Sequence, residues 1–153
     1  MKNRITVINE DARTFSSNKK YDLIISNPPF YENELESPDE KRNLALHSHE
    51  LSLKDLLQII SPNLSAPGTF FILLPYKRYD EIKTVLKKHE LAIKEIILIR
   101  QSVNHNYFRM ILTGSLKTED AIETEINEIS IWNDQQQYTK EFIELLKDYY
   151  LYL

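Results

Sequence analysis

The stretch Tyr21-Asp22-Leu23-Ile24-Ile25-Ser26-Asn27-Pro28-Pro29-Phe30 decides how this chain is read. Tyr21 to Ser26 is a continuous apolar run with polar flanks, which predicts a strand buried on both faces, as in a parallel sheet. Two prolines then remove two backbone donors and fix φ, so the ladder cannot continue, and the residue before each proline is kept out of a helix. In α/β sheets ligands bind beyond the carboxyl ends of the strands, and Asn27 to Phe30 stands at that end.

Upstream, Arg4 to Asn9 is short and β-branched and predicts another strand, with Asp11 in the turn that leaves it. Downstream, residues 30 to 50 are polar and charged and contain Pro38, so they predict a long loop with at most a helical turn. Ser52 with Asp55 three residues on, and Leu53, Leu56, Leu57 and Ile60 at helical spacing, signal a capped helix that Pro62 to Gly68 ends. Thr69 to Leu74 predicts a second buried strand. Tyr79 to His89 predicts an amphipathic helix with Ile82, Val85 and Leu86 inward. Leu91 to Arg100 and Tyr107 to Ser115, separated by Asn104-His105-Asn106, predict an antiparallel hairpin. Glu128 to Trp132 alternates like an edge strand, and Thr139 to Tyr152 predicts a closing helix whose Phe142, Leu145, Leu146 and Tyr149 face the core. The expected architecture is a single α/β domain over 1–153, a mostly parallel sheet with a terminal antiparallel hairpin. It begins abruptly, as the C-terminal half of a larger domain would.

Composition narrows the function. The chain has 153 residues, 42% hydrophobic and 27% charged, enough for one compact core. Its apolar runs are too short to cross a bilayer and residues 1 to 20 lack a signal-like stretch, so no membrane partner and a cytoplasmic location are expected. Without cysteine there is no disulfide, thiolate nucleophile or thiolate metal site. A net charge of −4 argues against gripping nucleic acid by bulk charge. Only Gly68 and Gly114 are glycines, where average usage of roughly 7% would give about ten. A glycine-rich loop around a phosphate or nucleotide is therefore excluded from these residues.

Asn27-Pro28 has a chemistry of its own. A conjugated NH2 group is a poor nucleophile because its lone pair is delocalised. Acceptors that hold both N–H bonds turn that lone pair out of the plane toward an electrophile. The Asn27 side-chain oxygen can accept one hydrogen bond and the rigidly held Pro28 carbonyl the other. Phe30 can stack on a flat substrate, worth about 1–3 kcal/mol for a base on an aromatic ring.

The DLIISNPPF segment resembles the fourth motif, Asp/Asn/Ser-Pro-Pro-Tyr/Phe, of S-adenosylmethionine-dependent amino-methyltransferases. With Ile8 to Arg13, Leu73-Leu74-Pro75, Phe108-Arg109 and the tail Tyr138 to Leu153, the whole chain resembles the tRNA(Val) adenine N6-methyltransferases. The resemblance implies the C-terminal part of a Rossmann-like class I methyltransferase fold, S-adenosylmethionine as cofactor, and tRNA as partner. It implies catalytic roles for Asn27, Pro28, Pro29 and Phe30, and cofactor contacts from Asp11, Ala12 and Asn27. It also implies substrate contacts from Phe30, Tyr31, Lys41, Arg42 and Arg109. Two departures stand out: the family's glycine-rich cofactor loop and ribose-binding acid have no counterpart, and Ala45-Leu46 replaces an expected alanine-arginine pair. The chain alone is accordingly expected to be inactive, with an exposed first strand favouring self-association.

Other readings stand beside this one. Asn-Pro-Pro can simply end a strand, and Asp11 is an ordinary turn residue. A glutamine methyltransferase of release factors shares the motif, and a non-catalytic RNA-binding domain would keep the base pocket without a cofactor site. His47, His49 and Glu50 lack the spacing of a metal site. Lys77, Arg78, Lys83, Lys87 and Lys88 form a basic face that is either solvated or positions phosphates.

Overall fold

The computed structural model describes residues 4–28, 51–86, 89–119 and 123–150. In chain order these form β1 (Tyr21–Ser26), α1 (Leu53–Asn63), β2 (Leu64–Pro75), a 3-10 turn (Tyr76–Arg78), α2 (Tyr79–Leu86), β3 (Leu91–Ser102), β4 (Tyr107–Leu116), β5 (Glu125–Trp132) and α3 (Lys140–Leu146). The strands make one sheet in the order β1-β2-β4-β3-β5. β1 pairs with β2, and β3 with β5, in parallel; β4 runs antiparallel to both β2 and β3. The hairpin expected from Asn104-His105-Asn106 is therefore present, and it lies inside the sheet with β5 beyond it.

The helix signal at Ser52 is realised in full. Its hydroxyl accepts from the Asp55 backbone N–H at 3.1 Å, while the Asp55 carboxylate accepts from the Ser52 N–H at 3.1 Å and from the hydroxyl at 2.6 Å. That cap aims Leu53, Leu56, Leu57 and Ile60, all buried, at β2 residues Phe70, Ile72 and Leu74 and at β4 residues Met110 and Leu112. Ile82 of α2 and Leu91, Ile93, Ile96 and Leu98 of β3 complete this core. Gly114 has a packing reason: it sits opposite Phe70 in the β2–β4 ladder, where a Cβ would meet the Phe70 ring and the Ala92 carbonyl.

The structure corrects several expectations. Arg4 to Asn9 is not a strand, and Ile5, Val7 and Ile8 are exposed. A β-branched run has strand propensity but no ladder without a neighbour, and none of the described residues pairs with it. β1 is a strand but is not buried on both faces: Leu23 is 53% and Ile25 71% exposed. The described helices α1 and α2 pack on one face of the sheet, and among the described residues β1 is paired on one side only. α1 ends at Asn63, inside the Pro62 to Gly68 stretch expected to end it and with Pro62 in its last turn, but β2 starts at Leu64, well before Thr69. The last helix is shorter than expected, and its face is not core: Leu145 and Tyr149 are exposed. Among the described residues no helix is long and apolar enough to cross a membrane.

Candidate active site

β1 is parallel to β2, and the last paired residues are Ser26 and Ile72. β2 continues to Pro75, so Asn27 and Pro28 leave β1 alongside the last residues of its neighbour. Asn27 is exposed and Pro28 is buried, which presents the Asn27 amide at the surface on a buried neighbour. Because β4 is antiparallel, its first residues come to this same edge, and Arg109, half-buried, stands opposite both Pro75 and Ile99.

Asp11 reaches the same edge by another route. Lys20 Nζ donates to the Pro62 carbonyl in the last turn of α1, whereas Arg13 lies near Asp55 in its first turn. The segment from Arg13 to Lys20 thus follows α1, and Asp11 stands at the helix's N-terminal end. α1 runs back from the carboxyl edge to the start of β2, so Asp11 and Ala12 share the edge of the sheet with Asn27. A cavity of about 190 Å³ separates this segment from α1, lined by Arg13, Phe15, Asp55 and Gln58.

Asp11 is engaged. Its Oδ1 accepts from the Arg13 N–H at 2.9 Å and Nε at 3.0 Å, and its Oδ2 from Nε at 3.0 Å and Nη2 at 2.6 Å. These contacts raise the Arg13 pKa, first through the hydrogen bonds and then through the Asp11 charge. A carboxylate offers about four lone-pair sites, so a ligand amino group reaching Asp11 competes with the guanidinium. The Asp55 carboxyl is held below its ordinary value, chiefly by the Ser52 hydroxyl.

A polar and aromatic cluster that the sequence did not single out completes the edge. The Tyr76 ring lies 5.2 Å from that of Tyr107, and Arg100 lies over Tyr107 at 5.7 Å. Arg100 donates to Ser130 Oγ at 2.7 Å and pairs with Glu128 at 3.5 Å. The Glu128 carboxylate, as hydrogen-bond partner, raises the Tyr107 phenol above its usual pKa. The available signal was position: Tyr76 follows Pro75, and Arg100 and Tyr107 flank the hairpin turn. Pro29, Phe30, Tyr31, Lys41, Arg42, Ala45, Leu46, His47, His49, Glu50, Lys87 and Lys88 lie outside the described residues. Arg78 of the basic face donates to Glu81 at 2.8 Å. Among the described residues no cluster of His, Asp and Glu could hold a metal.

No family model matches the chain. It is 31% identical over 153 residues to the tRNA1(Val) (adenine(37)-N6)-methyltransferase of Bacteroides thetaiotaomicron, covering 99% of this chain and 63% of that protein. The proteins of the same name from Christiangramia forsetii (31% over 144 residues, 94% of this chain, 59% of the relative) and Shewanella baltica (29% over 153 residues, 97% and 64%) align likewise. The chain is a homologue of part of these enzymes. It spans between 59% and 64% of the length of these curated relatives. Among solved structures, it matches a protein of Agrobacterium tumefaciens described as a predicted O-methyltransferase, with a TM-score of 0.59 and 14% identity over 90% of this chain and 60% of the other. A structure from Listeria monocytogenes described as a predicted class I S-adenosylmethionine-dependent methyltransferase gives a TM-score of 0.50 at 15% identity, over 77% of this chain and 39% of the other. The fold of this homologue is that of the class I methyltransferases, in agreement with the α/β sheet and hairpin expected from sequence.

Proposed function

We propose that this chain is the substrate-orienting, C-terminal part of an S-adenosylmethionine-dependent methyltransferase that modifies the N6 amino group of an adenine in tRNA, beside the anticodon of a valine tRNA. One observation carries the reading: Asn27-Pro28, an exposed amide on a buried proline, ends a strand at the ligand-binding edge of a class I methyltransferase sheet. The similarity to relatives named for that reaction supports the substrate.

The residues present fit the cofactor in part. Asp11 offers acceptor oxygens at the correct edge, contested by Arg13, and Ala12 follows it. The glycine cradle is absent: Gly68 and Gly114 are strand residues, and neither has positive φ. These residues therefore hold only part of a cofactor site, and by this reading the chain alone is inactive. When bound, S-adenosylmethionine supplies an electrophilic methyl on a positively charged sulfur. Asn27 Oδ1 accepts one amino N–H of the adenine and the Pro28 carbonyl the other, which leaves the nitrogen lone pair directed out of the ring plane. In that arrangement Asn27 and Pro28 would hold the amino nitrogen ready to accept the methyl group, and the surplus amino proton would pass to water. By the same reading Pro29 and Phe30 act with Asn27 and Pro28, and Phe30 and Tyr31 contact the substrate. Lys41, Arg42 and Arg109 meet the phosphates. Such an enzyme works where tRNA does, in the cytoplasm.

The test joins this chain to the remaining part of the Bacteroides thetaiotaomicron relative and follows labelled methyl. Transfer to unmodified tRNA, lost in Asn27→Ala while cofactor affinity is kept, is the expected result. Label entering a release-factor glutamine and not tRNA overturns the reading in favour of the glutamine methyltransferases that share the motif.

A further inference from the structure

The carboxyl edge of the sheet holds a second feature that the site above does not use. A cavity of about 510 Å³ opens where β3 and β5 end, between the hairpin turn and the loop that enters α3. Its walls include Gln101, Ser102, Asn104 and His105 on one side and Trp132 and Asn133 on the other. Ser102 is paired with Trp132 in the parallel β3–β5 ladder, and this pairing brings the two loops together.

Each wall is held in place. Ser102 Oγ and His105 Nδ1 are 2.6 Å apart, and the Asn104 N–H points at the same hydroxyl at 3.3 Å. On the other side Asn133 Oδ1 accepts from the Gln135 and Gln137 N–H groups at 2.9 Å each. That turn engages only the oxygen of Asn133, so its NH2 is not consumed there. The indole of Trp132 is stacked on Tyr138 at 4.2 Å, and Tyr138 on Phe142 at 5.1 Å. The indole is thus fixed from behind by a column of rings. Gln136, which also lines the cavity, has φ 59°, a left-handed conformation that costs a residue with a Cβ. Strain of this kind persists where the surroundings impose it, and it gathers at ligand sites.

The chemistry of the lining selects the occupant. Carboxamides on Gln101, Asn104 and Gln136 each carry a donor and an acceptor, and Asn133 adds the donor NH2 that its turn leaves over, the complement of a nucleobase edge. An indole beside them offers a stacking surface that every base can use. Among the described residues the lining contains no Lys or Arg, and Asp134 contributes a negative charge, so the pocket suits a neutral ring better than a phosphate.

Location supplies the rest. In the order β1-β2-β4-β3-β5, the pocket lies three to four strand positions from Asn27, about 14–19 Å at ~4.8 Å per strand. A few nucleotides of single-stranded RNA span that distance. The geometry points to a second base-binding site: the Trp132–Asn104 pocket takes an unpaired base of the same RNA whose target adenine is presented to Asn27. This inference rests on the proposed RNA substrate and adds a specificity subsite to it.

Trp132 is the only tryptophan of the chain, so its fluorescence reports on this pocket alone. The 153-residue chain is titrated with single-stranded ribohexamers of each base and, as a control, with a glutamine-containing peptide. Saturable quenching by at least one ribohexamer and none by the peptide is expected, weakened about fivefold in Asn104→Ala and again in Gln101→Ala, as for one lost hydrogen bond each. Both side chains are exposed, and unchanged circular dichroism is expected for both variants. Absence of quenching by all hexamers, equal quenching by the peptide, or quenching that both variants leave unchanged overturns the inference. Binding here requires neither cofactor nor methyl transfer, so a failed titration leaves the Asn27 reading standing. A failed transfer assay with quenching retained refutes the Asn27 reading and leaves base binding at the pocket standing without its link to the target adenine.

Discussion

Replacing Gly114 by alanine adds one methyl group where β4 passes between Phe70 and the backbone of β3. An ideal Cβ there stands 2.4 Å from the Ala92 carbonyl oxygen, 2.4 Å from Phe70 Cζ and 2.7 Å from Phe70 Cε1. Phe70 is fully buried, and the Ala92 oxygen belongs to the backbone of β3, so neither side yields by a simple change of rotamer. Overpacking usually costs about 1–3 kcal/mol, and a collision with backbone on one side and a locked ring on the other puts this case near 3 kcal/mol. For a chain of this size that is a fall in Tm of roughly 6–12 °C, at about 2–4 °C per kcal/mol. Thermal and urea unfolding followed by circular dichroism give the value. The double variant Phe70→Leu/Gly114→Ala is expected to cost less than the sum of the two single changes, because the shorter side chain removes one of the two collisions. A loss under about 1 kcal/mol for Gly114→Ala, or strict additivity in the double variant, refutes this account of why β4 carries a glycine.

Two further predictions concern α1 and β1. Ser52→Ala removes the cap hydroxyl and lowers stability by about 1 kcal/mol at pH 7. Because that hydroxyl also holds the Asp55 pKa down, its benefit through the carboxylate is complete above about pH 4 and is lost as the pH falls through the lowered value. The gap between wild type and variant therefore narrows in acid, and a gap that widens below pH 4 contradicts the assignment. The open edge of β1, with Leu23 and Ile25 exposed, is expected to self-associate. Light scattering should show a mass above the monomer that Ile25→Lys reduces; a monomer at every concentration removes this expectation.

Local signals were legible where one segment contained all the partners. The capping box at Ser52 and Asp55 and the apolar positions of α1 need only four or five neighbouring residues to be read. The hairpin, too, is announced by two apolar runs around a polar turn. Burial was not legible for β1, or for Leu145 and Tyr149, because periodicity identifies an apolar face without identifying what covers it. Arg4 to Asn9 failed for the same reason, since a strand is a property of a pair. Of the site, the Asn27-Pro28 turn and Asp11 could be picked out, and the structure brings both to the carboxyl edge. The Tyr76–Tyr107–Arg100 cluster and the cavity at Trp132 could not, because register between separated segments creates them.

The interposed hairpin gives the edge of this sheet the character of a ruler. The interval between Asn27 and the end of β5 is counted in strands, and each strand step is fixed by backbone hydrogen bonds, not by side chains. Residues at either end can be exchanged without altering that interval. Chemistry at one end and recognition at the other are thereby free to change separately, while the length of whatever bridges them stays set by the fold.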